Sequence, residues 1–154
     1  MLFRSPKYLT LDAAMQTAKL TKSRFLILKL DIEGHEYQSL LQCADQVLKL
    51  FKYIVIEFHN LNEIKYSRQF RNLLKSCMSK LLNNHQVISA VANNATGEFN
   101  IFYKNKWKIK RLKFPTTMEI SFARRDALKN FKERNNLREN LNFQSKNVLN
   151  KKSI

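Results

Sequence analysis

The stretch Phe25-Leu26-Ile27-Leu28-Lys29-Leu30-Asp31-Ile32-Glu33-Gly34-His35-Glu36-Tyr37 constrains this chain more than any other. An apolar run containing a β-branched residue stops at two carboxylates and a glycine. A helical pattern then starts with a third carboxylate in its first turn. A buried strand of an α/β sheet delivers acidic groups to its carboxyl end in this way, and such sheets hold their ligands there. Gly34 is one of two glycines in the chain, so its position indicates a tight turn or a close backbone approach. Asp31, Glu33 and Glu36 stand out further because the protein around them carries a net charge of +16.

The rest of the chain fits the same class of fold. Leu11 to Ala18 reads as a short helix entered through Thr10 as N-cap. From Glu36, apolar residues recur at Tyr37, Leu40, Leu41, Ala44, Val47, Leu48 and Phe51, one face of an amphipathic helix. Tyr53 to His59 is a second buried strand ending in polar groups. A helix from about Tyr66 to Leu82 follows, with Tyr66, Phe70, Leu73, Leu74, Cys77 and Leu81 inward and Arg68, Arg71, Lys75 and Lys80 outward. A third strand is expected at Gln86 to Ala92. Strand–helix–strand–helix–strand order implies parallel strands joined by right-handed crossovers. Beyond it, Phe99 to Tyr103 and Trp107 to Arg111 alternate around a Lys104-Asn105-Lys106 turn and predict a hairpin. Met118 to Ala123, after Pro115, is a strand that can return antiparallel into the sheet. Residues 1–126 read as one domain, and 127–154 as a basic Asn/Lys-rich tail, partly helical or disordered.

Composition narrows the function classes. The 154 residues, 44% of them hydrophobic, suffice for a folded core. Cys43 and Cys77 form no C-x-x-C pair and read as small buried hydrophobes of a reducing compartment. No apolar run approaches the ~18 residues of a membrane span, and the N-terminus has no leader-like apolar region, so a cytoplasmic protein is expected. The positive charge invites nonspecific nucleic-acid binding, but basic residues are spread over every segment and no nucleic-acid-binding motif occurs. The three histidines and two cysteines have no zinc spacing. His35 and His85 read as solvated surface residues.

Leu28-Lys29-Leu30-Asp31-Ile32-Glu33-Gly34-His35-Glu36-Tyr37 resembles the "lKiDiEGaEy" signature of FkbM-family S-adenosylmethionine-dependent methyltransferases. Thr10-Leu11-Asp12 looks like the "TLD" that precedes it in that family, and Ile56-Glu57-Phe58-His59 like the following "iEfH". Asn93-Asn94 and the stretch from Pro115 to Met118-Glu119-Ile120 resemble later "gNN" and "P…lEl" elements of one branch. The resemblance covers about residues 9–125. It implies an α/β, truncated Rossmann-like class I methyltransferase fold: a mixed sheet of parallel strands plus an antiparallel return, with flanking helices. The strands would be the fourth to seventh of seven. It also implies methyl transfer from S-adenosylmethionine, commonly to a hydroxyl of a sugar or other small metabolite.

Asp31 and His59, at the ends of adjacent strands, are the candidate catalytic pair for removing the acceptor's proton. Glu33, Gly34, Glu36, Glu57, Asn93 and Asn94 are the candidate substrate-binding or motif residues. No metal site is assigned, although a divalent ion on Asp31 and Glu33 is an alternative. Structural roles compete with these. Asp31 can cap a turn, Glu33 and Glu36 can complement a helix dipole, Glu57 can pair with Lys or Arg, and the two asparagines can make a turn.

Two departures from the family pattern bear on function. The glycine-rich turn that opens the family's cofactor site has no counterpart, since Gly34 and Gly97 are the only glycines. The strand that usually reads "HiHgNN" carries Ser89, Val91 and Ala92 in place of two histidines and a glycine. The expectation is therefore a C-terminal methyltransferase half whose cofactor side comes from a separately encoded half, or which self-associates over its open strand edge. A catalytically inactive remnant and a basic nucleic-acid-binding module are the alternatives.

Overall fold

The computed structural model describes residues 9–20, 25–105 and 108–129. Thr10, extended at φ −66° and ψ 157°, accepts a hydrogen bond from the Ala13 amide and opens helix α1 (Leu11–Thr17), the role expected of it. Strand β1 (Leu26–Leu30) alternates: Leu28 and Leu30 are buried, Ile27 and Lys29 exposed. Helix α2 (Glu36–Gln42) buries Glu36, Tyr37 and Leu40.

The amphipathic helix expected to run on to Phe51 is broken. Cys43 and Ala44 are extended, α3 (Asp45–Leu48) follows, and Phe51 already belongs to strand β2 (Phe51–Phe58). Polar partners hold the break open. Both Asp12 carboxylate oxygens accept from the Ala44 amide, at 3.1 and 3.2 Å, and Lys80 donates to the carbonyls of Leu41 and Cys43. Lys80, expected to point outward, is thus drawn in. A second break separates α4 (Glu63–Tyr66) from α5 (Arg68–Leu82), where Ser67 caps α5 by accepting from the Phe70 amide at 3.0 Å. Tyr66 consequently falls outside the long helix and is 72% exposed rather than inward. Phe70, Leu73, Leu74, Cys77 and Leu81 face the core as their spacing predicts.

Strands β3 (His85–Ala92) and β6 (Met118–Arg124) complete a four-stranded sheet in the order β1-β2-β6-β3. β1 and β2 pair in parallel, and β6 runs antiparallel to both β2 and β3. The fold is a mixed α/β sheet with flanking helices, compatible with a Rossmann-like methyltransferase. Strands β4 (Glu98–Asn105) and β5 (Lys108–Pro115) form a separate antiparallel hairpin. It runs further than the expected turn at Lys104-Asn105-Lys106, because Asn105 pairs with Lys108. Trp107 and the tail from residue 130 lie outside the described residues.

Helices α1 to α5 all contribute to one hydrophobic cluster on one face of the sheet, with Ile54, Ile56 and Phe58 of β2 among its fully buried members. The register sets these three beside Phe122, Ile120 and Met118 of β6. The Tyr37 ring packs 5.6 Å from Phe58 and edge-on 5.0 Å from Phe70. Burying each such side chain contributes roughly 1.5–3 kcal/mol. The residues that alternate with them, among them Ile27, Lys29, Tyr53, Val55 and Glu57, lie on the other face and retain solvent exposure.

His85 does not behave as a surface residue. It is 1% exposed, and its Nε2 lies 2.9 Å from the Phe51 carbonyl, joining the first residues of β3 and β2. Burial lowers its pKa, so the neutral ring donates this bond. Cys43 and Cys77 are free and buried, as expected, and burial pushes their thiols up to about 12 and about 11. Among the described residues no helix is long and apolar enough to cross a membrane.

Candidate functional site

Asp31 and His59 are the first residues beyond the carboxyl ends of β1 and β2, and parallel pairing of those strands brings them together. The His59 Nε2 lies 3.9 Å from Asp31 Oδ1 and 3.5 Å from Glu33 Oε2. Its other ring nitrogen, Nδ1, lies 2.9 Å from Glu36 Oε1. A carboxylate oxygen that already takes two backbone amides is an acceptor for Nδ1, and Nε2 is the ring nitrogen that faces Asp31 and Glu33. The histidine side chain is 13% exposed, against 42% for Asp31 and 87% for Glu33. The ring is held from within, and its reactive edge faces the rim.

Glu36 organises the loop that carries the two acids. It is fully buried, and its Oε1 also accepts from the amides of Ile32, at 3.0 Å, and Gly34, at 3.2 Å. One oxygen therefore fixes both the acidic loop and the imidazole. The adjacent Tyr37 holds the same histidine by its backbone, its hydroxyl donating to the His59 carbonyl at 2.5 Å. Burial, with Glu36 nearby, raises the Tyr37 pKa, which keeps that donor protonated.

The turn itself needs left-handed backbone at Glu33 (φ 53°) and Gly34 (φ 97°). A Cβ on Gly34 would stand 2.8 Å from Asn60 Nδ2. The glycine thus serves both conformation and close approach.

Glu57, two residues before His59, takes a hydrogen bond from Asn93 Nδ2 at 2.8 Å, and among the described residues it forms no ion pair with Lys or Arg. Asn93 also makes the expected turn, accepting from the Ala95 amide at 3.1 Å. Asn94 opens a 3-10 turn, Asn94–Thr96; its side chain lies outside the described residues. Asp31, Glu57 and His59 each offer a ligand atom within 4.8 Å of the others'. Lys29, on this face, binds Glu119 at 2.6 Å, and its pKa is raised by that bond, with Asp31 and Glu57 contributing.

Sequence reasoning missed Tyr37 as an anchor, Asn60 as the side chain that lies against Gly34, and Glu36 as the buried hub. The signal for Glu36 was its place two residues after a glycine, where a side chain can fold back onto the preceding amides.

The Methyltransferase FkbM domain model matches residues 5–81, half of the chain. The chain belongs to the FkbM methyltransferase domain family. No curated protein and no solved structure matches it. The matched segment of this FkbM domain holds Asp31, Glu33, Gly34, Glu36, Tyr37, Glu57 and His59, and the structure gives the motif a physical meaning. The aspartate and first glutamate face the imidazole, the glycine makes the turn, and the second glutamate and tyrosine grip the histidine. Asp12 of the "TLD" element holds the break between α2 and α3 through the Ala44 amide.

Proposed function

We propose that this chain supplies the acceptor side of an S-adenosylmethionine-dependent methyl transfer to a hydroxyl of a saccharide or other small metabolite. The observation that carries this reading is the orientation of His59. Its Nδ1 is engaged by Glu36, and its Nε2 faces the rim between Asp31 and Glu33. A ring so held, with Nε2 unprotonated, accepts the proton of an acceptor hydroxyl, and Asp31 stabilises the imidazolium that forms. A cleft of about 470 Å³ beside the same loop, lined by Leu9, Thr10, Ile32, His35, Gln38 and Gln42 among others, has the size of a small-molecule site. Its wall is largely apolar, with Leu9 and Ile32, and carries hydroxyl, imidazole and amide groups that can orient a small acceptor.

The donor side does not fit the residues present. Gly97 follows a 3-10 turn in front of β4, and the Gly34 amide is taken by Glu36. Neither offers a glycine-rich turn between strand and helix, so no residue is assigned to S-adenosylmethionine. In this proposal a separate polypeptide segment carries that turn and joins the open edge of β1, which among the described residues pairs only with β2.

Two measurements test the proposal. Calorimetric titration of the chain alone with S-adenosylmethionine is expected to show no micromolar binding, and micromolar affinity would overturn the division of the site. Transfer of labelled methyl groups to a saccharide panel, with a polypeptide bearing the family's glycine-rich half added, is expected to depend on His59. Transfer undiminished in His59→Gln would overturn its role.

A further inference from the structure

The geometry points to a divalent first-row metal ion, of the Mn²⁺ or Zn²⁺ class, bound by Asp31, Glu57 and His59. These residues bring one imidazole nitrogen and two carboxylate oxygens within 4.8 Å of one another. Ligands at ~2.0–2.2 Å from a common ion stand ~3–4 Å apart, so rotation of the two carboxylates closes the set. One nitrogen with two oxygens suits Mn²⁺ or Zn²⁺ better than Mg²⁺ or Ca²⁺, which take oxygen alone.

Two ligands already carry the outer hydrogen bonds that metal sites use. Glu36 accepts from Nδ1 of His59, leaving Nε2 for the ion, and Asn93 donates to Glu57. The independent sign is charge. Glu36 is fully buried, and its Oε2 has no hydrogen-bond partner among the described residues. With Asp31, Glu33 and Glu57 it surrounds one imidazole with carboxylates, while Lys29 is engaged by Glu119. An ion beyond the imidazole offsets this excess negative charge through the ring.

Binding itself does not depend on the proposed methyl transfer; only its consequence does. With the ion on Nε2, that nitrogen is no longer open to an acceptor's proton, so ion binding and proton removal by His59 compete for the same atom.

The test uses the full chain, stripped with chelator and titrated with MnCl₂ at 0.15 M salt, free Mn²⁺ being read by electron paramagnetic resonance. One saturable site is expected, weakened at least about tenfold in Asp31→Asn and in Glu57→Gln. Asp126→Asn, which alters an acid paired with Arg124 away from the site, is expected to bind as the parent does. Variants that fail to fold are bypassed in the parent protein, which has three histidines. Substoichiometric Mn²⁺ should broaden the His59 ring resonances before those of His35 and His85. No saturable uptake, uptake indifferent to both site variants, or broadening at another histidine first overturns the proposal. A metal site without methyl transfer, or the reverse, separates this inference from the function above.

Discussion

Replacing Glu36 tests whether one buried carboxylate builds the acidic loop and its histidine together. In Glu36→Ala the amides of Ile32 and Gly34 and the Nδ1–H of His59 lose their acceptor at once. Hydrogen bonds to a charged group contribute about 1.5–3 kcal/mol each. The three share one oxygen in a part-buried loop that water can reach after truncation. Relief of repulsion from Asp31, Glu33 and Glu57 offsets a further part. The expected loss is about 3–5 kcal/mol, the range for removing one partner of a buried charged contact. Glu36→Gln keeps an oxygen for the same donors and removes the charge, so its cost should fall to about 1–2 kcal/mol.

Urea unfolding followed by far-ultraviolet circular dichroism measures both variants. With a slope of about 2 kcal/mol/M, the alanine variant should move the midpoint down by about 2 M and the glutamine variant by less than about 1 M. If Glu36→Ala costs under about 1 kcal/mol while the His59 ring resonances keep their positions, the hub assignment is refuted.

Two further predictions concern the loop and the sheet. Gly34→Ala places a Cβ 2.8 Å from Asn60 Nδ2 at φ 97° and should cost about 2–3 kcal/mol in the same assay. Adding Asn60→Gly removes the steric part, so the double variant should lose less than the two single changes together, and strict additivity would exclude the contact as the cause. His85 has a lowered folded-state pKa, chiefly from burial. The unfolded chain therefore binds a proton there first as pH falls, and stability should be level above about 6.5 and decline below it, down to the folded-state pKa. His85→Gln should reduce that acid-side slope relative to the parent; equal slopes in pH-dependent unfolding would show that His85 does not cause it.

Much of this arrangement was legible in the sequence, for identifiable reasons. Alternation and apolar runs located the four sheet strands and the hairpin, because burial on a pleated surface leaves a period of two. Asp31 and His59 could be paired in advance because each ends a strand of one parallel pair. The breaks at Ala44 and Ser67 were hidden by continuous helical spacing. They depend on Asp12 and Lys80 in the first case and on a hydroxyl cap in the second, and periodicity does not register such long-range or single-residue competitors. His85 was misjudged for a related reason: its burial depends on a carbonyl of β2, thirty-four residues away. The hub role of Glu36 was missed because a helix-entry glutamate has the same spacing whether it faces water or folds inward, and its place two residues after Gly34 was the one local signal.

The place of β6 between β2 and β3 fixes the order in which the domain can assemble. The central partner of both strands is the last strand in sequence, so β3 has no sheet to join until residues 118–124 have been synthesised. Of the four-stranded sheet only the β1–β2 ladder can form earlier on the ribosome, beside the local β4–β5 hairpin, and closing the rest requires pairings as distant as Tyr53 with Ala123. Such non-local closure is slow. In the interval the nascent chain presents an unpaired β3, with Val87, Ile88 and Val91 exposed even in the finished fold, and it is in this window that association with other chains competes with folding.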